Sequence, residues 1–394
     1  MILPALLLAL VSPPASPAGN WRAVLDLAGG ELRFSLNVRP AGRVLRGSIC
    51  NGRSCTPLSG IRVAGDTVVL EMADYAATIT SVLRGDSLTG IYHNVGNRGP
   101  RTIPFRASRG RWRIEPASAD LLGSWDATFV TDGRSSPRVL LFSNDSSGFI
   151  GAMMSNTGDY GRFWGRAEAD SFRLAHFDGS FVYMLTGRLD GDTLRGIFHA
   201  GLRTQTAFTA VRTTGRPHLR SPTEMTSADT SAPFRFAFPG LDGRTVANTD
   251  LRFRGKVVLL DVFGTWCPTC HEASPMLVDL YRRYHGRGLE IVGLAYEVTG
   301  DTAVDAPLVR RFQVTHRVPY PLLLAGTSDV ASAAATLPQL QGFTSFPTSI
   351  FLGRDGRVRL VYAGFLGAAT GAQHDRQVAE FRATIERLLA EPPR

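Results

Sequence analysis

The chain resembles itself at an offset of about 103 to 106 residues, and no other feature of the sequence restricts its fold as much. "GNWRAVLDL" from residue 19 aligns with "GSWDATFVT" from 123, "SVLRGDSLTGIY" from 81 with "GRLDGDTLRGIF" from 187, and "PFRASR" from 104 with "AFTAVR" from 207. The spacing is too long for a solenoid unit and suits a duplicated domain. Within each copy, stretches such as "ELRFSLNV", "DTVVLEM", "ATITSVL" and "DSFRLAHF" alternate apolar with polar residues, and Gly, Asn, Asp and Ser turn signals separate them. That is the pattern of antiparallel hairpins. Two related antiparallel β modules are therefore expected, at residues 19–115 and 120–213, with Trp21 and Trp125 as core plugs at matching places.

In the first copy, "CNGRSC" sets Cys50 and Cys55 on either side of a turn-forming Asn-Gly, close enough across a hairpin for a structural disulfide. The second copy has no such pair; a second redox pair is the alternative for these two cysteines. Residues 214–232, "TGRPHLRSPTEMTSADTSA", are rich in Pro, Ser and Thr and read as a flexible linker that lets its neighbours move independently. Beyond it the grammar changes. "KVVLLDVF" is a continuous apolar run, as a strand buried on both faces should be, "PMLVDLYRRYHG" has helical spacing, and "LEIVGLAYE" completes a β-α-β unit. Then come "PYPLLLAG", a helical "SDVASAAATL", two strands about "RDG" in "FPTSIFLGRDGRVRLVYAG", and a closing helix "QVAEFRATIERLLA". The fold class expected is multidomain: the two β modules followed by an α/β domain over residues 233–394.

Length and charge limit the function. At 394 residues the chain holds two or three domains. Its net charge of +9 comes almost wholly from arginines scattered singly, Lys256 being the only lysine, so a nucleic-acid partner is not expected: nucleic-acid readers concentrate their charge on a patch. "MILPALLLALVSPPASPAGN" has an apolar run followed by small residues, with Ser16 and Ala18 at the −3 and −1 places of a cleavage site, and reads as a signal peptide over residues 1–18. No later segment is long and apolar enough for a transmembrane span. The expected location is periplasmic or extracellular, where disulfides persist.

The remaining cysteines lie in "DVFGTWCPTCHEASP", residues 261–275. Disulfide exchange needs a thiolate that attacks and a second thiol near enough to resolve the mixed disulfide, and a C-x-x-C on the first turn of a helix provides both. Cys267 takes the helix N-terminus, where free N–H groups stabilise a thiolate, and Pro268 suits the first helical position. Cys267 is read as the exposed attacker and Cys270, one turn deeper, as the resolver. Zinc would need two more ligands at suitable spacing, and His271 points elsewhere on a helix. A structural staple of so short a loop would gain little stability. His285, His316 and His374 have no constellation around them and read as surface residues.

The segments "RGKVVLLDVFGTWCPTC", "RGLEIVGLAYE", "FPTSIFLGRDGRVR" and "GFLGAATG" resemble the TlpA-like branch of the thioredoxin superfamily, over about 160 residues from Pro233 to the end. The resemblance implies a thioredoxin-like fold for residues 233–394 and an exported thiol-disulfide oxidoreductase. It makes Asp261 the buried acid that takes the proton of the resolving cysteine, and Pro347 a cis-proline opposite the cysteines. Trp266, Thr265 and Phe346 would line the apolar surface around them, and Pro268 and Thr269 would tune the potential. The family's glutamate three residues after the second cysteine is Ala273 here, which leaves Glu272 and Glu297 as candidate supporting acids.

The function expected is exchange of the C-x-x-C pair with disulfides of client proteins, in the reductase or isomerase direction, with an upstream thiol donor protein as second partner and with no cofactor or metal. The alternatives are ligand- or partner-binding β modules with an accessory thioredoxin-like domain, and a thiol peroxidase.

Overall fold

The computed structural model of the chain describes residues 16–96, 99–213 and 218–392. Among these residues, the first unit is an antiparallel sheet of nine strands, from Gly19–Leu27 to Gly99–Arg109. Its first and last strands pair, Trp21 opposite Arg109, so the sheet curls round on itself. It stays open between Ser54–Pro57 and Gly60–Ala64. The second unit, from Gly123–Thr131 to Thr204–Arg212, is a closed antiparallel barrel of eight strands. Alternation does what it implies: Gly30–Ala41 buries Leu32, Phe34, Leu36 and Val38 on one face.

The two β units share local geometry. Trp21 Nε1 donates to Pro17 O (2.9 Å) and Trp125 Nε1 to Leu121 O (3.1 Å). The Arg109 and Arg212 guanidinium groups each lie 4.4 Å over the ring of their tryptophan and donate to Ala18 O and Leu122 O. Strands that begin at Gly19, Gly30, Ser54 and Thr67 recur at Gly123, Arg134, Gly158 and Ser171. The barrel strand Gly158–Glu168 has two short counterparts in the first unit, split just after Pro57, a residue that brings no N–H to a ladder.

The barrel supplies apolar side chains to the core of the first unit. Phe177 sits 4.8 Å from the Phe34 ring and 5.2 Å from that of Tyr92, and Ala175, Val182 and Met184 join the same cluster. Asn51 makes two hydrogen bonds to the Phe177 backbone, at 2.9 and 3.0 Å. On its other face the strand Ser171–Phe177 sends Phe172 and Leu174 into the barrel interior, which Trp125, Phe129, Phe149 and Phe163 also fill. One strand thus serves two cores, and the β units are packed as one body.

The third unit is a five-stranded sheet in the order Leu322–Thr327, Leu289–Glu297, Val257–Phe263, Thr348–Leu352, Val358–Ala363, the first three parallel and the last two antiparallel. Helices α1 (Pro268–Tyr284), α2 (Thr302–His316), α3 (Val330–Thr336) and α4 (Ala372–Leu389) cover it. Every residue of Val257–Phe263 is buried, because alternate side chains enter two apolar clusters on opposite faces of the sheet. Helix α2 has no counterpart in the sequence reading. It buries only Asp305, Val309 and Phe312 and holds Pro307 in its second turn, so its apolar stripe is too thin to recognise; Asp301 caps it by accepting from Ala303 N (2.9 Å).

The flexible-linker expectation is corrected for the described residues 218–232. Arg220 N donates to Asn156 Oδ1 (2.9 Å), Thr226 Oγ1 donates to Gly342 O (3.1 Å), and Ser227–Ala228 pairs with Leu340–Gln341. Composition marks this segment as polar, but its backbone groups find partners on both neighbours. The signal-peptide expectation falls mostly on residues 1–15, outside the described residues. No helix among the described residues is long and apolar enough to cross a membrane.

Candidate active site

The strand Val257–Phe263 delivers Gly264, Thr265 and Trp266 to the start of α1, where Cys267 is the N-cap residue and Pro268 the first helical residue. Cys267 and Cys270 form a disulfide, and Cys267 Sγ accepts the N–H of Cys270 at 3.2 Å. The resulting electrostatics favour a thiolate at Cys267 over one at Cys270. The expected difference in exposure is not found: Cys267 is 3% exposed and Cys270 2%. Pro268 and Thr269 are buried in the same turn. The peptide Phe346–Pro347 is cis, and Phe346 O lies 3.8 Å from Cys267 Sγ. Trp266, half-buried, donates Nε1 to Tyr296 O (2.8 Å) and meets the Phe346 ring edge-on at 5.4 Å.

Asp261 occupies the middle of the buried strand, opposite Gly293 and Ser349. Burial pushes its carboxyl up to about 7, and Oδ1 is sealed without a hydrogen-bond partner. Tyr320 lies within reach of its charge; burial first, and Asp261 second, raise the phenol well above its ordinary value. Glu297 is 2% exposed and not a solvated strand end. It accepts from Thr265 N (2.9 Å) and Thr265 Oγ1 (2.6 Å), while burial pushes its carboxyl to about 7.

Two histidines that have no part in the site on the sequence alone, His271 and His316, complete the support. His271 Nε2 lies 2.8 Å from Thr265 O, a carbonyl, so that nitrogen carries the proton and Nδ1 accepts from His316 Nε2 at 2.7 Å. Burial holds both imidazoles below their ordinary value, His316 at about 4. His316 is therefore not a surface residue, and His271 turns back onto the segment that carries the cysteines. His374 also has a role in packing: it is half-buried and bonds through Nδ1 to Leu366 O at 2.7 Å. His285 stacks on Tyr281 at 4.5 Å, 3.4 Å from a Glu290 oxygen.

Glu272 faces the β body and not the disulfide. A Cβ at Gly367 would meet Glu272 Oε2 at 1.6 Å and Asp159 Oδ2 at 3.1 Å, so both carboxyls crowd one glycine. Asp159 Oδ2 accepts Gly367 N (2.6 Å) and Oδ1 accepts Gly161 N (3.1 Å). Behind them His176 Nε2 approaches Asp178 Oδ2 at 3.2 Å. Crowding by protein atoms and the Asp159 charge push Glu272 upward, while its side chain also borders an open cleft of about 800 Å³, where water screens it and weakens the effect. No sequence signal could pair Asp159, His176 and Asp178 with Glu272, because they belong to another unit. In the first unit, Cys50 and Cys55 face each other across the hairpin and are disulfide-bonded.

Residues 227–372 match the Redoxin family. The thiol-disulfide oxidoreductase ResA of Bacillus thuringiensis subsp. konkukian is 28% identical over 123 residues, 31% of this chain and 62% of the relative. ResA of Bacillus subtilis is 27% identical over 141 residues, 36% of this chain and 70% of the relative. The chain thus spans less than two thirds of the first of these relatives. A thioredoxin-family thiol:disulfide interchange protein from Chlorobium tepidum aligns with a TM-score of 0.32 at 22% identity, covering 42% of this chain and 99% of that one. The Redoxin match contains both cysteines and the cis-proline, and over that segment the chain is similar to thiol-disulfide oxidoreductases of the TlpA-like branch of the thioredoxin superfamily.

Proposed function

We propose that the chain is an exported thiol-disulfide oxidoreductase that exchanges its Cys267–Cys270 pair with disulfides of client proteins, as a reductase or isomerase. The observation that carries this reading is the position of Cys267 as N-cap of α1, its sulfur on a helix N–H and beside the cis Phe346–Pro347 peptide. In the reduced protein the Cys267 thiolate attacks one sulfur of the client disulfide, forming a mixed disulfide and releasing the other sulfur as a thiolate that takes a proton. Cys270 then gives its proton to Asp261 and attacks Cys267 Sγ. The client leaves with two thiols and the protein keeps the disulfide; two electrons have moved to the client. A dithiol donor protein restores the pair. Thr265, held by Glu297 and His271, fixes the segment before Cys267, and Trp266 and Phe346 supply an apolar approach.

Export is supported by the apolar start of the chain and by the Cys50–Cys55 disulfide, which suits an oxidising compartment. The matched tryptophan–arginine geometry and strand starts support a common origin for the two β units, at residues 19–115 and 120–213. The filled barrel interior gives no support to a ligand held inside it. The test is reduction of a disulfide client by the dithiol form, with capture of clients on Cys270→Ser. Cys267→Ser should abolish reduction, and Cys267 should be alkylated at neutral pH about tenfold faster than Cys270, from thiolate stabilisation alone. Equal alkylation rates, or activity surviving Cys267→Ser, would overturn the mechanism.

A further inference from the structure

The β body reaches the cysteines with two arms. The first is the turn Ala73–Tyr75: the Tyr75 ring meets His271 edge-on at 5.0 Å, and Asp74 Oδ1 accepts from Arg311 Nε on α2 at 2.6 Å. The second is the loop 178–181, made rigid by Asp178 Oδ1, which accepts the N–H groups of Ser180 (2.8 Å) and Phe181 (2.7 Å). The first unit braces that loop: Tyr92 donates to Gly179 O at 3.0 Å and Arg101 donates to Ser180 O. The loop points Ser180 Oγ at Trp266 O, 3.5 Å away, one residue before the attacking cysteine. A Cβ at Gly179 would lie 3.1 Å from Met72 Sδ, so the two arms also pack on each other.

The arms occupy two flanks of the C-x-x-C segment. What they leave is the side between Trp266 and Phe346, both half-buried, next to the exposed Thr344. A folded domain that offers a surface disulfide needs clearance on every side of the sulfur. A single extended strand is narrow and can lie along the backbone edge at Phe346–Pro347, where main-chain hydrogen bonds provide affinity. We propose that the two arms of the β body shut disulfides on the surface of folded domains out of Cys267, so that the assembled chain serves only clients whose disulfide lies on an extended segment. This rests on the exchange activity proposed above and names its substrate class.

The test uses the full chain with Cys270→Ser, which leaves Cys267 as the single free thiol and Cys50–Cys55 intact. Two probes are compared, a maleimide on an unstructured peptide and the same maleimide on the surface of a folded carrier protein, each calibrated against an exposed cysteine in an unstructured peptide. The carrier probe should lag at Cys267 by a further factor of about ten, equivalent to ~1.4 kcal/mol. Arg311→Ala, an exposed change on α2 that cuts the contact to Asp74, should narrow the lag, and Tyr75→Ala should narrow it further. A carrier probe that lags no more at Cys267 than at the calibrating cysteine overturns the proposal, as does a lag that both variants leave unchanged. Because the readout is alkylation, a lag in a protein that reduces no disulfide would sink the exchange activity while leaving the arms as a barrier.

Discussion

Asp261 is held in a strand with no exposed residue, and its Oδ1 meets no donor, so the folded protein favours its neutral form. An acid whose folded value is raised binds its proton more tightly in the native state, and the native state loses stability as pH rises from the unfolded value through the folded one. Here that window runs from near 4 to about 7. A rise from near 4 to about 7 corresponds to about 4 kcal/mol, an upper figure for a group this buried. Asp261→Asn, of the same shape, should therefore match wild type in thermal stability at pH 4 and exceed it by roughly 1–3 kcal/mol above pH 7, while slowing the second step of exchange at pH 6–7. A variant with the stability gain but wild-type turnover would leave Asp261 a structural burden with no part in proton transfer. The position was legible from an aspartate inside an apolar run; the missing donor was not, since hydrogen bonding is decided by residues brought in from Ser349 and Gly293 on neighbouring strands.

At the scale of elements, the first turn of α1 is set by a chain of contacts from three places: Glu297 at the end of a strand, Thr265 before the helix, and His316 at the end of α2. The strand Val257–Phe263 and α1 could be read locally, because a continuous apolar run followed by a C-x-x-C and a helical stripe needs nothing from elsewhere. His316 could not, because α2 itself was invisible behind Pro307 and its arginines. The buried pair has a pH consequence. A histidine whose folded value is lowered makes the native state lose stability as pH falls from 6.5 toward that value, about 4 for His316, for a loss of about 3 kcal/mol at most. His316→Gln keeps an N–H donor for His271 Nδ1 and cannot titrate, so its stability relative to wild type should rise as the pH is lowered from 6.5 to 4. His316→Leu leaves that nitrogen buried and unpaired and should cost about 1–3 kcal/mol at pH 7. A flat difference between His316→Gln and wild type across that range would show that the pair is not what senses acid.

The whole molecule is arranged around contacts that no single unit encodes. Residues 19–115 alone would expose the Phe34 and Tyr92 faces that Phe177 covers, so that fragment should be insoluble where residues 19–213 are soluble. The contact between the β body and the third unit has titrating groups at its centre. Asp159 faces the N–H groups of Gly161 and Gly367 and the rings of His176 and His374; Glu272 faces Asp159, His176 and Asp178; and His176 is bonded to Asp178 and to Arg162 O. Burial raises both carboxyls, and Asp178, against the opposing effect of burial, raises His176 above its ordinary value. His176 owes its rise chiefly to Asp178 and Arg162 O of its own unit, whereas the two carboxyls lie at the contact between the units and bind protons more tightly when these are docked. For the carboxyls, docking loses stability as pH rises from near 4 through their raised values. Both carboxyls act in the same direction, and docking should weaken as pH rises from 6 to 8.5. Any change in the reactivity of the Cys267 thiol with pH affects peptide-borne and carrier-borne maleimides alike and cancels in their ratio. The carrier probe should thus gain on the peptide probe by roughly fivefold between pH 6 and 8.5, ~1 kcal/mol of lost docking. Glu272→Gln, which keeps the shape and removes the charge, should hold the ratio near its pH 6 value throughout. A ratio in wild type that stays constant, or falls, with rising pH would mean that these groups do not govern how the β body meets the cysteines.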